Sequence, residues 1–401
     1  MKLDELVVGL DIGTTKVCVL IARIREKEEF EILGVGTAPS QGISKGVVTD
    51  ISKTSSMIEE AAKKAEAQAG LKVKRAWVSI AGDHIQAADN QGFVKVEKED
   101  KVITAKDVEK VLQEASHITL ASDREIIHIL PQEFIINGRN EVKEPIGMNG
   151  TTLGVKVHIV TASSSSRQDI ETSVKQAQYE CEGVTLQCLA SAMATLFPDE
   201  EDLGVALLDI GGGTTDLAIF LKEGMRFTYV LGVGGNHITN DIAVGFHTSH
   251  QVAERVKIEY GCASESLLKR GEKLEIEGVA ERGISRIGQD DLFEVIEPRV
   301  KEIFELVDKE LVKSGYKDLI TAGMVLTGGC SLLEGIKEKA EEITGLPTRI
   351  GHTHMKEPEE LISPVYATVL GLILYGIKRR GELAHKERIE VRIKEWLKGF
   401  F

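Results

Sequence analysis

The chain states its opening twice. Leu6 to Ala22 read LVVGLDIGTTKVCVLIA, and Gly204 to Phe220 read GVALLDIGGGTTDLAIF. In both, an apolar β run leads into Asp-Ile-Gly, a turn of Gly and Thr, and a second apolar β run, the pattern of a tight hairpin. Each copy opens one half of a 401-residue chain, a length beyond what one hydrophobic core usually serves. A duplicated α/β protein is therefore expected, with its two turns facing each other across a cleft.

Such turns suit phosphate. Glycine lets backbone N–H groups approach phosphate oxygens closely, and threonine hydroxyls add donors. Gly13, Thr14 and Thr15 make one candidate cradle, and Gly211, Gly212, Gly213, Thr214 and Thr215 the other. A carboxylate beside a phosphate is repulsive unless a cation mediates. Asp11 and Asp209 are therefore read as outer ligands of a Mg²⁺ that keeps several of its waters. Lys16 is placed to offset phosphate charge, the alternative being an exposed hairpin lysine. Asp216 is read as structural or as a water ligand rather than a catalytic base.

The paired loops resemble those of the actin, Hsp70 and sugar-kinase superfamily, which implies ATP between two ribonuclease H-like halves. Three further elements of that superfamily have counterparts. LGVGGNHITNDIA puts Gly234 and Gly235 before a helical pattern, whose N-terminus would turn its dipole toward the nucleotide. AERVKIEYG holds Glu254 and Lys257 on one helix face, as a ribose-contacting pair requires; unaided, such a pair is a solvated salt bridge. AGMVLTGGCSLLEGI resembles the adenosine motif, with Gly328, Gly329 and Ser331 under base and ribose. Two runs rich in small residues, Cys188 to Phe197 and Ser363 to Gly376, fit the connecting helices at which the halves hinge.

Between Asp83 and Thr161 the chain reads strand, helix, strand, strand, a small α+β module. Its helix is expected from Thr104, as N-cap, to Thr119, burying Val108, Val111, Leu112, Ala115 and Ile118. With DREIIHILPQEFIING, GNHITNDIA, KIEYGCA and VIEPRVKEI, the sequence resembles the FtsA family of bacterial actin-like cell-division proteins nearly end to end. The resemblance implies subdomain 1A from residues 1–82, 163–203 and 365–380, an inserted subdomain 1C over 83–162, 2A from 204–242 and 323–364, and 2B over 243–322. Residues 381–401 would be a linker and a membrane-targeting amphipathic helix. It further implies a polymerising ATP-binding protein that tethers FtsZ filaments to the inner face of the cytoplasmic membrane at the septum. Later division proteins would be recruited through 1C. The acidic FtsZ tail would dock on 2B, where Arg286 and Arg299 are the candidates, since arginine pairs bidentately with carboxylates. Two other readings share the fold: a pilus- or secretion-assembly scaffold, and a small-molecule kinase with no use for the tail.

The tail points to a membrane independently. In KERIEVRIKEWLKGFF, Ile389, Ile393, Trp396, Leu397 and Phe400 fall on one helical stripe, while Lys394 and Lys398, with Arg388 and Arg392, hold much of the other side. Burying each large apolar side chain contributes about 1.5–3 kcal/mol, and each basic residue near anionic lipid about 1 kcal/mol. Ordering the tail offsets much of this, so firm attachment needs many copies in a polymer. The net charge of −14 argues against a general nucleic-acid binder. Five cysteines without a CxxC pair, and an N-terminus without a signal-peptide plan, fit reduced thiols in a cytoplasmic protein. Near the first connecting helix Gln187 is the one candidate to position an attacking water. Slow turnover is expected, with ATP serving assembly.

Overall fold

The computed structural model describes residues 5–381, apart from 26–28, 270, 272, 280–282 and 357. The tail helix, with Ile389, Ile393, Lys394, Trp396, Leu397, Lys398 and Phe400, lies outside the described residues.

The first half opens with β1 (Leu6–Ile12), β2 (Lys16–Ile24) and β3 (Phe30–Pro39), followed by a short hairpin of β4 (Ile43–Ser44) and β5 (Val47–Val48). Helix α1 (Ile51–Ala69) is N-capped by Asp50, whose side chain accepts from the Lys53 N–H, and leads to β6 (Arg75–Ile80). Every residue of β1 is buried, because strands pair on both its edges and both its faces are covered.

The insert comprises β7 (Gln86–Lys95), α2 (Ala105–Ala115), β8 (Arg124–Ile136), β9 (Arg139–Val142) and β10 (Thr152–Ser163). Its four strands form their own antiparallel sheet, in the order β7-β10-β8-β9. Thr104 caps α2, and Val111 and Ala115 are buried while Val108, Leu112 and Ile118 pack against the same core. The helix stops at Ala115 rather than Thr119. The Ser116 hydroxyl donates to the Gln113 carbonyl at 2.6 Å, a local side-chain bond of a tight last turn, and the chain leaves the helix there.

Helix α3 (Ser164–Gln176) then returns the chain to the first half, with Ser163 as its cap. Strand β11 (Glu180–Leu186) completes the first sheet, in the order β11-β6-β1-β2-β3. Helices α4 (Gln187–Thr195) and α5 (Pro198–Leu203) cross to the second half.

There β12 (Val205–Ile210), β13 (Thr215–Leu221) and β14 (Gly224–Leu231) repeat the opening meander. Next come α6 (Gly235–Gly245), α7 (His250–Tyr260), the hairpin of β15 (Lys273–Glu277) and β16 (Ile284–Gly288), and the long α8 (Gln289–Ser314). Strand β17 (Met324–Thr327), α9 (Ile336–Thr344) and β18 (Thr348–Ile350) close the second sheet as β14-β13-β12-β17-β18. Read from the opposite edge, it copies the first sheet strand for strand, with an antiparallel meander followed by two parallel partners. The closing helix covers residues 367–381 and packs beside α4. A 3₁₀ turn at Pro364–Tyr366 delays its start past Ser363. Among the described residues no helix is long and apolar enough to cross a membrane.

Candidate nucleotide-binding site

The two hairpin turns meet at a cavity of about 360 Å³ between the halves. They touch across it: a Cβ added to Gly212 would lie 1.9 Å from Thr15 Oγ1, and one added to Gly213 2.6 Å from Thr14 Oγ1. Any larger residue would push the loops apart. Inside each turn one N–H is used locally, Gly13 to the Lys16 carbonyl and Gly211 to the Thr214 carbonyl. The N–H groups of Thr14, Thr15, Gly212 and Gly213 have no acceptor among the described residues. These unengaged donors, backed by backbone that admits no added Cβ at Gly212 or Gly213, fit the oxygens of a phosphate chain.

Both carboxylates are buried, and each is held by a serine from a distant element. Asp11 Oδ1 accepts from Ser79 Oγ at 2.8 Å, and Ser79 Oγ accepts in turn from the Ile12 N–H at 3.1 Å. Asp209 Oδ2 accepts from Ser191 Oγ at 2.6 Å and, at 3.4 Å each, from Gln187 Nε2 and Thr368 Oγ1. Burial pushes the Asp11 carboxyl up to about 6, Ser79 and Lys16 pulling against it. Asp209 is also raised by burial. Asp216 is raised to about 8 by burial and by Asp209, and its Oδ1 is buried with no hydrogen-bond partner among the described residues. A cation beside these three buried carboxyls would let them ionise. Among the described residues no cluster of three or more His, Cys, Asp or Glu could hold a metal directly. A Mg²⁺ beside Asp11 and Asp209 would therefore keep most of its waters.

Gly211, Gly235, Glu254, Lys257, Gly328 and Gly329 line the cavity, and Gly234 is the N-cap of α6, which directs that helix end at the loops. Glu254 and Lys257 form a half-buried pair at 2.7 Å, and Lys257 Nζ also donates to Thr239 Oγ1 at 2.8 Å and to the Gly235 carbonyl at 3.2 Å. This is a fixed wall rather than a solvated salt bridge. Lys16 lines the cavity, but its ammonium donates to the Val365 carbonyl and lies 4.3 Å from the centre of the Tyr366 ring. Thr215, Ser331 and Asp216 are not part of the wall: Thr215 donates to the Val233 carbonyl and Ser331 to the Gly328 carbonyl, which closes the turns from behind.

The sequence reading missed Ser79, Ser191 and Thr368, whose role exists only through contacts far along the chain, and Asn236, Ile258, Leu332 and Leu333 in the wall. Ile258 and Leu332 are exposed apolar side chains at the cavity mouth, suited to a flat base. Outside the cleft, Arg286 pairs with Glu275 across the β15–β16 hairpin, and Arg299 is clamped by Asp241 and Glu302. The five cysteines are all free thiols.

Known proteins share this architecture. A family model described as "Cell division protein FtsA" matches residues 206–371, and one described as "SHS2 domain inserted in FTSA" matches residues 82–161. The chain is 39% identical over 412 residues to the cell division protein FtsA of Pseudomonas aeruginosa, spanning 99% of this chain and 98% of that protein. To FtsA of Escherichia coli K12 it is 32% identical, over 98% of this chain and 96% of that protein. Among solved structures it is similar to a chain of the PilM-PilN type IV pilus biogenesis complex, with a TM-score of 0.67 and 18% identity, covering 92% of this chain and 98% of that one. MreB5 of Spiroplasma citri bound to ADP gives a TM-score of 0.56 and 15% identity, covering 97% and 99%. At these identities the structural likenesses establish an actin-like fold, and the sequence relatives establish more: the chain belongs to the FtsA family of cell-division proteins.

Proposed function

We propose that this chain binds ATP with Mg²⁺ between its halves, stacks into filaments in the closed state, and tethers FtsZ to the inner face of the cytoplasmic membrane at the division septum. The observation that carries the nucleotide reading is the set of four N–H groups, at Thr14, Thr15, Gly212 and Gly213, that have no acceptor among the described residues and sit on two loops that touch. The cation would supply charge neutralisation between the phosphates and the buried Asp11 and Asp209. The chain's own part is to present donors, hold the two carboxylates through Ser79 and Ser191, and exclude water. Gln187 donates to Asp209, so its amide serves that carboxylate. This supports slow turnover and a structural role for ATP.

The insert serves as the docking module for later division proteins, and the outer part of the second half receives the acidic FtsZ tail. Arg286, more exposed than Arg299, is the residue available to that tail. The basic amphipathic stretch from Lys386 to Phe401 supplies the membrane contact. The test is co-sedimentation of FtsZ with anionic liposomes, using ATP and either the full chain or one ending at His385. FtsZ should pellet with the full chain only, while both forms bind a fluorescent ATP analogue. Pelleting by the truncated chain would refute the membrane role, and loss of analogue binding by both would refute the nucleotide role.

A further inference from the structure

A second cavity, of about 560 Å³, lies between the insert and the second half. Its walls come from β7 to β10 on one side and from β13, β14 and Tyr316 on the other. It is separate from the nucleotide cleft, with which it shares no wall residue. The insert belongs covalently to the first half, entering from β6 and leaving through α3, so this cavity sits where the insert reaches across to the other half.

Arg226 is the feature that sets the cavity apart. In the β13–β14 ladder Ile219 pairs with Phe227 and Phe220 with Met225, which leaves Arg226 as the extra residue of a β-bulge. Bulges re-aim a side chain, and this one turns a guanidinium into the cavity wall. Arg226 is only 9% exposed. Its Nε donates to the Leu221 carbonyl at 3.0 Å, whereas its two terminal nitrogens have no hydrogen-bond or ion-pair partner among the described residues. A buried charge left this way is costly unless something pairs with it.

The cavity's own carboxylates are committed elsewhere. Glu133 is paired with Lys156, Glu141 with Lys222, and Asp89 Oδ1 lies 2.7 Å from His158 Nδ1. The Tyr316 hydroxyl likewise has no partner among the described residues, and its phenol is raised by burial and by Asp89 while Arg226 and Lys156 pull it down. Arginine and tyrosine therefore present unused donors to one polar chamber.

We propose that this chamber is a binding site for a small oxyanion, a phosphate or a carboxylate, held bidentately by the Arg226 fork with Tyr316 as the second donor. A forked guanidinium matches two oxygens on one centre, and such charge-assisted bonds are strong in a sheltered site. The bound anion bridges the insert and the second half, so its occupancy fastens the two together. Asp89 opposes it by charge.

The test titrates the full chain with inorganic phosphate and, separately, with malonate by calorimetry, for wild type, R226Q, Y316F and D89N. Whichever anion binds identifies the oxygen centre. R226Q should weaken that binding about tenfold or more, Y316F should weaken it less, and D89N should tighten it. Phosphate held by the nucleotide loops instead would persist undiminished in R226Q and Y316F and be indifferent to D89N, which overturns the proposal. Absence of binding by wild type at millimolar anion also overturns it. If R226Q fails to fold by circular dichroism, the opposite shifts of Y316F and D89N still decide.

Discussion

Gly371 and Ala190 bring the two connecting helices into backbone contact: a Cβ on Gly371 would lie 1.8 Å from the Ala190 carbonyl oxygen. One turn away, Ser191 and Thr368 share a hydrogen bond at 3.0 Å and both reach Asp209. The crossing of the helices thus positions a carboxylate of the cleft. Gly371→Ala must separate them, at a cost of about 1–3 kcal/mol. Urea unfolding should show that loss, and affinity for an ATP analogue should fall with it. Unchanged affinity at reduced stability would separate the hinge from the site.

Ser191→Ala removes the shortest hydrogen bond to Asp209 and leaves Gln187 and Thr368 as weaker donors. A charge-assisted bond of this kind contributes about 1.5–3 kcal/mol. The variant should need more Mg²⁺ for ATP-analogue binding, while Ser191→Thr, which keeps the hydroxyl, should restore part of it. Fluorescence titration at several Mg²⁺ concentrations reads this directly.

The buried acids make the nucleotide-free protein sensitive to alkali. Asp11 is raised to about 6 and Asp216 to about 8, from the 3.8 of a free aspartate side chain. Between those limits the folded chain holds protons that the unfolded chain has released, so stability is greatest at low pH and declines as pH rises. The Asp11 contribution is lost by about pH 6, and that of Asp216 only toward pH 8. Asp216→Asn keeps the Asp216 position neutral. Its urea midpoint should exceed that of wild type by a margin that widens from about pH 5 to pH 8. Parallel curves would show that Asp216 is ionised throughout.

Arg286 and Arg299 should part company under mutation. Arg286 lies on an exposed hairpin with one partner among the described residues, so Arg286→Glu should leave the melting temperature unchanged and abolish capture of an acidic FtsZ-tail peptide. Arg299 ties α8 to Asp241 on α6, so Arg299→Ala should lower the melting temperature as well. A peptide pull-down beside a thermal melt distinguishes the two outcomes.

Hairpins, their turns and the duplication were legible because each is local chemistry. Continuous apolar β runs, Gly-Thr turns and repeated Asp-Ile-Gly need no partner distant in the chain to be recognised, and β1–β2 and β12–β13 follow them residue by residue. The Thr104 cap was visible for the same reason, while the early stop of α2 depended on which way the Ser116 hydroxyl turned. What surrounds the two aspartates was not legible. Ser79 is 68 residues from Asp11, and Thr368 is 159 from Asp209, so nothing local marks either as a partner. Arg226 reads as one more strand residue until the bulge in β14 turns it inward. The sequence by itself determined that two phosphate-type loops would exist. Tertiary packing alone decided which hydroxyls hold their carboxylates, that Ser331 faces away, and that a second cavity is walled by a guanidinium whose terminal nitrogens have no partner among the described residues. Side-chain hydrogen bonds between distant elements are set by how the sheets and helices stack, and local sequence carries no record of that stacking.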